Sequence, residues 1–427
     1  MRWDAKTITL DDEDHFEILN GLWTGKKPPF VKAGVIRNTN FTESGRVDYT
    51  DVAWLQVEQK QLAKRQLKSG DIVVERSGGG PKQPVGRVVF FTREDGPFSF
   101  SNFTSAIRVH DTKSFDAKFV FYGLLELYQS GQTEDIQRRT TGIRNLDFTA
   151  YKERAAFPRI SLAEQQKIAG VLGLVQRAIE QQEQLIALTT ELKKALLHQF
   201  FTRGLRDELQ KQTEIGPVPE SWEQRPLEQA GDVVYGIQAA VASNLKPVGT
   251  KILTNKNITL DGRIALEAIN YFVLKTPRHH ATVLRKGDLL FNWRSGSKEH
   301  VGKTAYFDLD GEFTHSSFIL RIRPHDEVTG RYLFYYLNFL RESTYFVKRQ
   351  TFAVNAKFNK SAINRLPTFL PKEDERQEII TVLDAVSSKL KTLQAKHAAL
   401  TALFRTLLHQ LMTAQIRVHN LELPEFA

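Results

Sequence analysis

An internal repeat constrains this chain more than any other feature. At a constant offset of 211 and without a gap, residues 161–202 lie on residues 372–413. Glu164, Gln166, Ile168, Val171, Leu172 and Val175 fall on the identical residues Glu375, Gln377, Ile379, Val382, Leu383 and Val386, and the run Leu196-Leu197-His198-Gln199 returns as Leu407-Leu408-His409-Gln410. The segments ahead repeat more faintly at an offset of 217. VIRNTNFTESGRV (35–47) lies on ILTNKNITLDGRI (252–264), and LKSGDIVV lies on LRKGDLLF, which puts Asn38 on Asn255, Asn40 on Asn257, Gly70 on Gly287 and Asp71 on Asp288. A chain repeated in this way solves one folding problem twice. Its plan is globular segment, long helix, globular segment, long helix.

The helical reading rests on periodicity and on stops. Residues 372–412 contain neither glycine nor proline, and residues 161–202 contain only Gly170 and Gly173. Ile379, Leu383, Val386, Leu390, Leu393, His397, Leu400, Phe404, Leu407 and Leu411 follow a 4-3 spacing, the seam of a coiled coil. The first helix keeps Ile168, Leu172, Val175 and Ile179. Its seam is then broken by Gln182, Thr189 and Lys193, beside an apolar track of Leu185, Leu188 and Leu192. Each rod of about 40 residues spans roughly 60 Å. A long half-apolar helix is not stable alone in water, so the two most simply pack on each other. They far exceed the usual helix of about 11 or 12 residues, which suits a spacer. Pro158 and Pro371 precede them, and Gly204 with EIGPVPESW marks the exit into a new domain. The expected blocks are therefore 1–157, helix 158–205, 206–369, helix 370–413 and a tail, 414–427.

Both globular segments read as α+β with mainly antiparallel sheet. GDIVVE (70–75), GRVVFF (86–91) and AIRVH (106–110) precede a helix at 116–129; GDLLFNW (287–293), KTAYFDL (303–309) and SFILRIRP (317–324) precede one at 328–340. The chain has no cysteine, which excludes a disulfide scaffold, a thiolate metal site and a cysteine nucleophile and fits a reducing cytoplasm. The charged N-terminal stretch is not a signal peptide, and no apolar window is long enough for a transmembrane helix. The net charge of +10 favours a polyanionic partner, most often nucleic acid.

Searching for catalytic motifs returns little. GSKEHVGKT (296–304) resembles a phosphate loop, but five residues separate its glycines where four are needed. Lys27-Pro28-Pro29-Phe30 has lysine where an amino-methyltransferase core needs Asn or Asp. Ser77-Gly78-Gly79-Gly80 lacks dinucleotide spacing. Adjacent His279 and His280, read on a strand, point to opposite faces and do not share a metal. Loop cations and amides are more informative. Arg76, Ser77 and Lys82 surround the glycine loop, and Asn292, Arg294, Ser295 and Lys298 occupy the equivalent stretch. Arg138, Arg139 and Arg144 precede the first long helix; Lys348, Arg349, Asn355 and Lys357 precede the second. Together with Asn38 and Asn255 these are the candidate DNA contacts, because Arg and Asn match guanine and adenine edges while Lys and Ser hold phosphate.

FPRISLAEQQKIAGVL (157–172), FLPKEDERQEIITVL (369–383), TEIGPVPESWE (213–223) and LLHQLMTAQIRV (407–418) together resemble the specificity subunit of type I restriction–modification enzymes, over essentially the whole chain. That resemblance implies two target-recognition domains, each reading half of a bipartite, asymmetric DNA site, joined by two antiparallel coiled-coil helices. It implies that Ile168, Leu172, Val175, Ile179, Ile379, Leu383, Val386 and Leu390 serve helix pairing and subunit docking. Two modification subunits would bring S-adenosylmethionine and methylate adenine N6; two restriction subunits would bring ATP and magnesium. This chain would supply the address and no catalytic residue, metal or cofactor. A self-contained DNA-modifying enzyme and a coiled-coil scaffold are the alternative classes.

Overall fold

The computed structural model describes residues 6–22, 25–80, 83–139, 143–238, 245–246, 248–349, 351–352 and 356–418. It divides into two compact units, Met1–Gln184 with Ala395–Ala427, and Leu185–Gln394. Both divisions fall inside a long helix, Leu162–Arg203 and Glu373–Met412. The helices are thus not separate blocks, because each half of each helix shares a core with a globular domain.

In the first unit, a four-stranded antiparallel sheet has the order Phe16–Asn20, Thr104–Val109, Ile72–Glu75, Val88–Phe90. A three-stranded sheet follows the order Ala53–Glu58, Phe30–Ile36, Phe98–Phe100, its last pair parallel. A smaller sheet joins Gln137–Arg139, Arg144–Leu146 and Ser77–Gly79. Helix Ala117–Gln129 begins where the Asp116 carboxylate accepts the Phe119 N–H at 2.9 Å, satisfying a donor that the first turn leaves open. It buries Phe119, Val120, Leu124 and Leu125, an amphipathic face.

The second unit repeats each layer. Its main sheet runs Gly231–Tyr235, Ile319–Pro324, Leu289–Asn292, Thr304–Tyr306. A second sheet pairs Asn270–Phe272 with Thr250–Leu253 and, in parallel, Thr250–Leu253 with Phe313–His315. Its small sheet joins Arg294–Ser295, Ala356–Lys357 and Thr351–Phe352. Helix Glu327–Glu342 is capped by Asp326, which accepts the Thr329 N–H at 2.8 Å. This helix buries Tyr332 and Tyr336 completely, and their hydroxyls donate to the carbonyls of Phe369 and Pro367 at 2.6 Å each. Their apolar burial therefore carries no unmet polar cost.

Two locks explain why the repeated residues recur. Asp71 accepts from Arg108 Nε and Nη2 at 2.8 and 2.7 Å; Asp288 accepts from Arg323 at 2.7 Å twice. Each carboxylate is 1% exposed and also takes a backbone N–H at 2.7 Å, from Lys68 or Arg285, across the turn that Gly70 or Gly287 closes at φ 97° or 93°. Only glycine adopts that φ without strain. The second lock is Asn40 and Asn257. Each caps its own short 3-10 turn and donates to two carbonyls, Asp48 and Asp51 for the first, Ala265 and Ala268 for the second.

Helix segments pair inside each unit. In the first, Arg417 donates to Glu164 at 2.6 and 2.9 Å and His397 lies 3.4 Å from Glu183, so partners descend as numbering rises, an antiparallel order. Ile168, Leu172 and Ile179 share a core with Phe404, Leu408 and Leu411, and Val175 packs against it. In the second, Leu197, Phe200 and Phe201 share a core with Ile379, Ile380 and Leu383. Leu390 is buried and Val386 half-buried. One local expectation is corrected: His279 and His280 lie on the short helix Pro277–His280, where Thr276 caps the first turn, and not on a strand.

Candidate nucleic-acid interface

In each unit the small sheet gathers residues that are far apart in sequence. Ser77 sits on one edge strand, Arg138 on the other, and Arg144 between them. The Ser77 hydroxyl donates to the Asn145 side chain, and Arg138, largely exposed, pairs with Asp147. Arg138 also helps hold the Asp147 carboxyl below its usual range, after the Ala150 N–H that the same carboxylate caps. Arg144 is half-buried, with one guanidinium nitrogen 3.5 Å from the Gln137 amide oxygen. In the second unit Arg294 and Ser295 pair in register with Lys357 and Ala356. Arg294 lies 5.2 Å from the Phe318 ring centre, Ser295 is buried and accepts the Ser297 N–H, and Lys298 is exposed.

Other candidates fall elsewhere. Asn38 is half-buried and donates to the Ser77 carbonyl at 2.5 Å, so it braces the glycine turn. Asn255 is half-buried, and its carbonyl accepts Lys303 Nζ at 3.0 Å. Arg76 is folded inward: it donates to Asn20 at 3.0 Å, reaches Ser105 at 3.3 Å and lies 4.4 Å over Phe148, and burial lowers its pKa. Asn292 lies fully inside the fold and donates to the His300 carbonyl at 2.6 Å, which takes its amide away from any surface. Lys348 is exposed; Arg349 is exposed but engaged, donating to the Glu214 carbonyl at 2.6 Å and stacking 4.1 Å over Tyr345. Lys82 and Asn355 lie outside the described residues, as do the side chains of Arg139 and Lys357.

Comparing the halves explains Asn292. Its equivalent is Glu75, buried and clamped by Arg87 at 2.8 and 2.9 Å, and Arg87 also donates to the Asn38 carbonyl at 3.1 Å. In the second unit Lys303 replaces Arg87. It is buried, donates to the carbonyls of Asn255 and Ile258 at 3.0 and 2.6 Å, and has its pKa lowered by that burial. The sequence reading missed Lys303, Arg87 and Asn145, though aligning Arg87 with Lys303 after the glycine loops would have found the first two.

The tyrosine clasps are also repeated. Tyr122 donates to Gln176 at 2.9 Å, and Gln176 donates to the Ser44 carbonyl at 2.9 Å. Tyr335 bonds to Asp384 and lies 3.2 Å from Ser387, while Arg331 pairs with Asp384. Each clasp fixes the domain helix against a long-helix segment of the same unit. Among the described residues no group of three or more His, Asp or Glu side chains could hold a metal ion, and no helix is long and apolar enough to cross a membrane.

Residues 219–402 match the family model of the type I restriction modification DNA specificity domain. A putative type I restriction enzyme MjaX specificity subunit of Methanocaldococcus jannaschii is 28% identical over 230 residues, which are 53% of this chain and 52% of the relative. The match thus spans about half that relative's length. The type I restriction enzyme MjaVIII specificity subunit of the same organism is 24% identical over 323 residues, 72% of each chain. Among solved structures, the S subunit of a type I restriction–modification system from M. genitalium has a TM-score of 0.60 at 14% identity, covering 96% of this chain and 97% of its own. A chain from a structure concerned with complex assembly and conformational transition of the type I R-M system has a TM-score of 0.55 at 16% identity, covering 97% and 100%. At these identities the two structures speak to the fold.

Proposed function

We propose that this chain is a specificity subunit of the type I restriction–modification family, the non-catalytic DNA reader of its complex, and that each unit reads one half of a bipartite, asymmetric site; the family-model match over residues 219–402 and the two similar specificity subunits support this reading. The observation that carries this is the small sheet present in both units, which brings together exposed or half-buried cations that are far apart in sequence. Arg138, Arg144, Arg294 and Lys298 are its contacts. The cations give salt-dependent phosphate attraction, and the arginines can present paired donors to guanine.

The long helices act as spacer between half-sites and as docking surface for modification and restriction subunits. The seam residues Ile168, Leu172, Ile379 and Leu383 are consumed in the cores of their units. Docking therefore falls to the neighbouring track, Leu185, Leu188 and Leu192, which stays 44%, 64% and 51% exposed. S-adenosylmethionine, ATP and magnesium belong to those partners. Exchanging residues 1–157 for the corresponding domain of another family member tests the reading. The methylated motif should change in one half only; a change in both halves, or in neither, refutes it.

A further inference from the structure

Each unit holds a partly exposed phenylalanine at the same point of the fold. Phe103 is 44% exposed and Phe318 37% exposed. Each occupies the third position of a four-residue turn that the structure repeats: Thr104 N–H donates to the Ser101 carbonyl, and Ile319 N–H to the Ser316 carbonyl, both at 3.0 Å. Each backbone is tied to the strand that leads into the small sheet. The Phe103 carbonyl accepts from Arg76 and Ser77 at 2.9 and 3.1 Å, and the Phe318 carbonyl from Trp293 at 3.3 Å.

A single exposed phenylalanine needs no explanation. Two of them on equivalent turns, one in each unit, do. The exposed part of the ring costs free energy in water, and no bond that closes either turn comes from the phenylalanine side chain: the backbone closes both, with the Thr104 hydroxyl adding a bond to the Ser101 carbonyl at 2.8 Å and the Trp293 indole one to the Ser317 carbonyl at 2.7 Å. In the second unit a cation stands against the ring, with Arg294 5.2 Å from the Phe318 ring centre. In the first unit the backbone N–H groups of Arg76 and Ser77 hold the Phe103 carbonyl beside the small sheet. A protein partner would want a contiguous apolar patch around the ring. A flat, partly exposed apolar ring on a turn tied to the small sheet, with Arg294 against it in the second unit, fits a nucleic-acid base, which offers a π-face to the ring and a phosphate to a nearby cation.

We propose that Phe103 and Phe318 are paired DNA wedges, each stacking on a base at one step of its own half-site and fixing the register in which the small sheet meets the groove. This rests on the DNA-reading function proposed above. Both rings are exposed, so their removal does not open a core.

The test uses the full-length chain with its modification subunits and duplexes carrying 2-aminopurine at successive positions through the site. Wild-type protein should change the emission at one step in each half-site. Phe103→Ala should abolish the change in one half and Phe318→Ala in the other, each weakening binding roughly tenfold or more. The slope of log K against log salt should stay the same, because no phosphate contact is lost. Phe103→Trp and Phe318→Trp should keep both signals. Alanine variants that bind and perturb emission like wild type overturn the proposal, as do variants that bind DNA normally but fail to assemble. Failure of the underlying reading looks different, since wild-type protein would then show no sequence-specific binding at all.

Discussion

Asp288→Ala probes a buried ion pair that recurs at the equivalent place in each unit. The substitution removes the acceptor of two Arg323 donors and of the Arg285 N–H, all at 2.7 Å, from a position 1% exposed to solvent. Breaking a buried ion pair by deleting one partner costs roughly 3–5 kcal/mol, because the other charge is stranded. About a quarter of the Arg323 side chain reaches water (26%), and solvent screens part of that charge, so the lower end, about 3 kcal/mol, applies. Asp71→Ala should cost a similar amount, with Arg108 19% exposed. Hydrogen exchange of the amides in 319–324 reads the effect locally, and about 3 kcal/mol corresponds to a loss of protection on the order of 100-fold. Arg323→Met added to Asp288→Ala should recover much of it, since no ion is then left unpaired. Protection within tenfold of wild type in the single variant, or no recovery in the double, would refute the reasoning.

Further outcomes follow from individual side chains. His315 is fully buried, and burial pushes its pKa down to about 3 from 6.5. Its stabilising effect is complete above the unfolded pKa and is lost as pH falls from about 6.5 toward 3, by up to about 1.4 kcal/mol per pH unit. His315→Phe, which installs the residue found at equivalent Phe100, should flatten that part of the urea-stability profile relative to wild type; an unchanged slope counts against it. Lys303→Met should cost about 2–3 kcal/mol by leaving the Asn255 and Ile258 carbonyls unpaired, and Lys303→Arg should restore part of this because Arg87 fills the equivalent place. Equal denaturation midpoints for the two variants would contradict this. Arg138→Ala should weaken DNA binding and lower the salt slope by about one, as expected for a phosphate contact; an unchanged slope excludes that role.

Much of the fold was legible because periodicity and repetition are local signals. The first long helix begins four residues after Pro158 and ends just before Gly204, the second begins two residues after Pro371, and GDIVVE, GRVVFF, GDLLFNW and SFILRIRP each contain a strand of the main sheets. The site was less legible, because a sequence shows residue type but not direction. Asn292 and Arg76 have the chemistry of base readers, yet one is buried and the other folded onto Phe148. The small sheet joins Ser77 to Asn145 and Arg294 to Lys357, pairings across more than 60 residues that no local pattern announces. The partnership of Asp71 with Arg108 was equally hidden, although the repeat had already marked Asp71 and Asp288 as matched positions. His279 and His280 sit on a helix because Thr276 and Pro277 supply its cap and first turn, a signal that was present and passed over.

The most direct test is to map methylated adenines across the genome of a host carrying this chain together with the modification and restriction subunits proposed for it. One recurring motif should appear, made of two short unequal parts separated by a fixed unspecified gap, and it should vanish when this chain alone is deleted. A continuous motif, or a methylation pattern that survives the deletion, would contradict the assignment of a two-headed DNA reader.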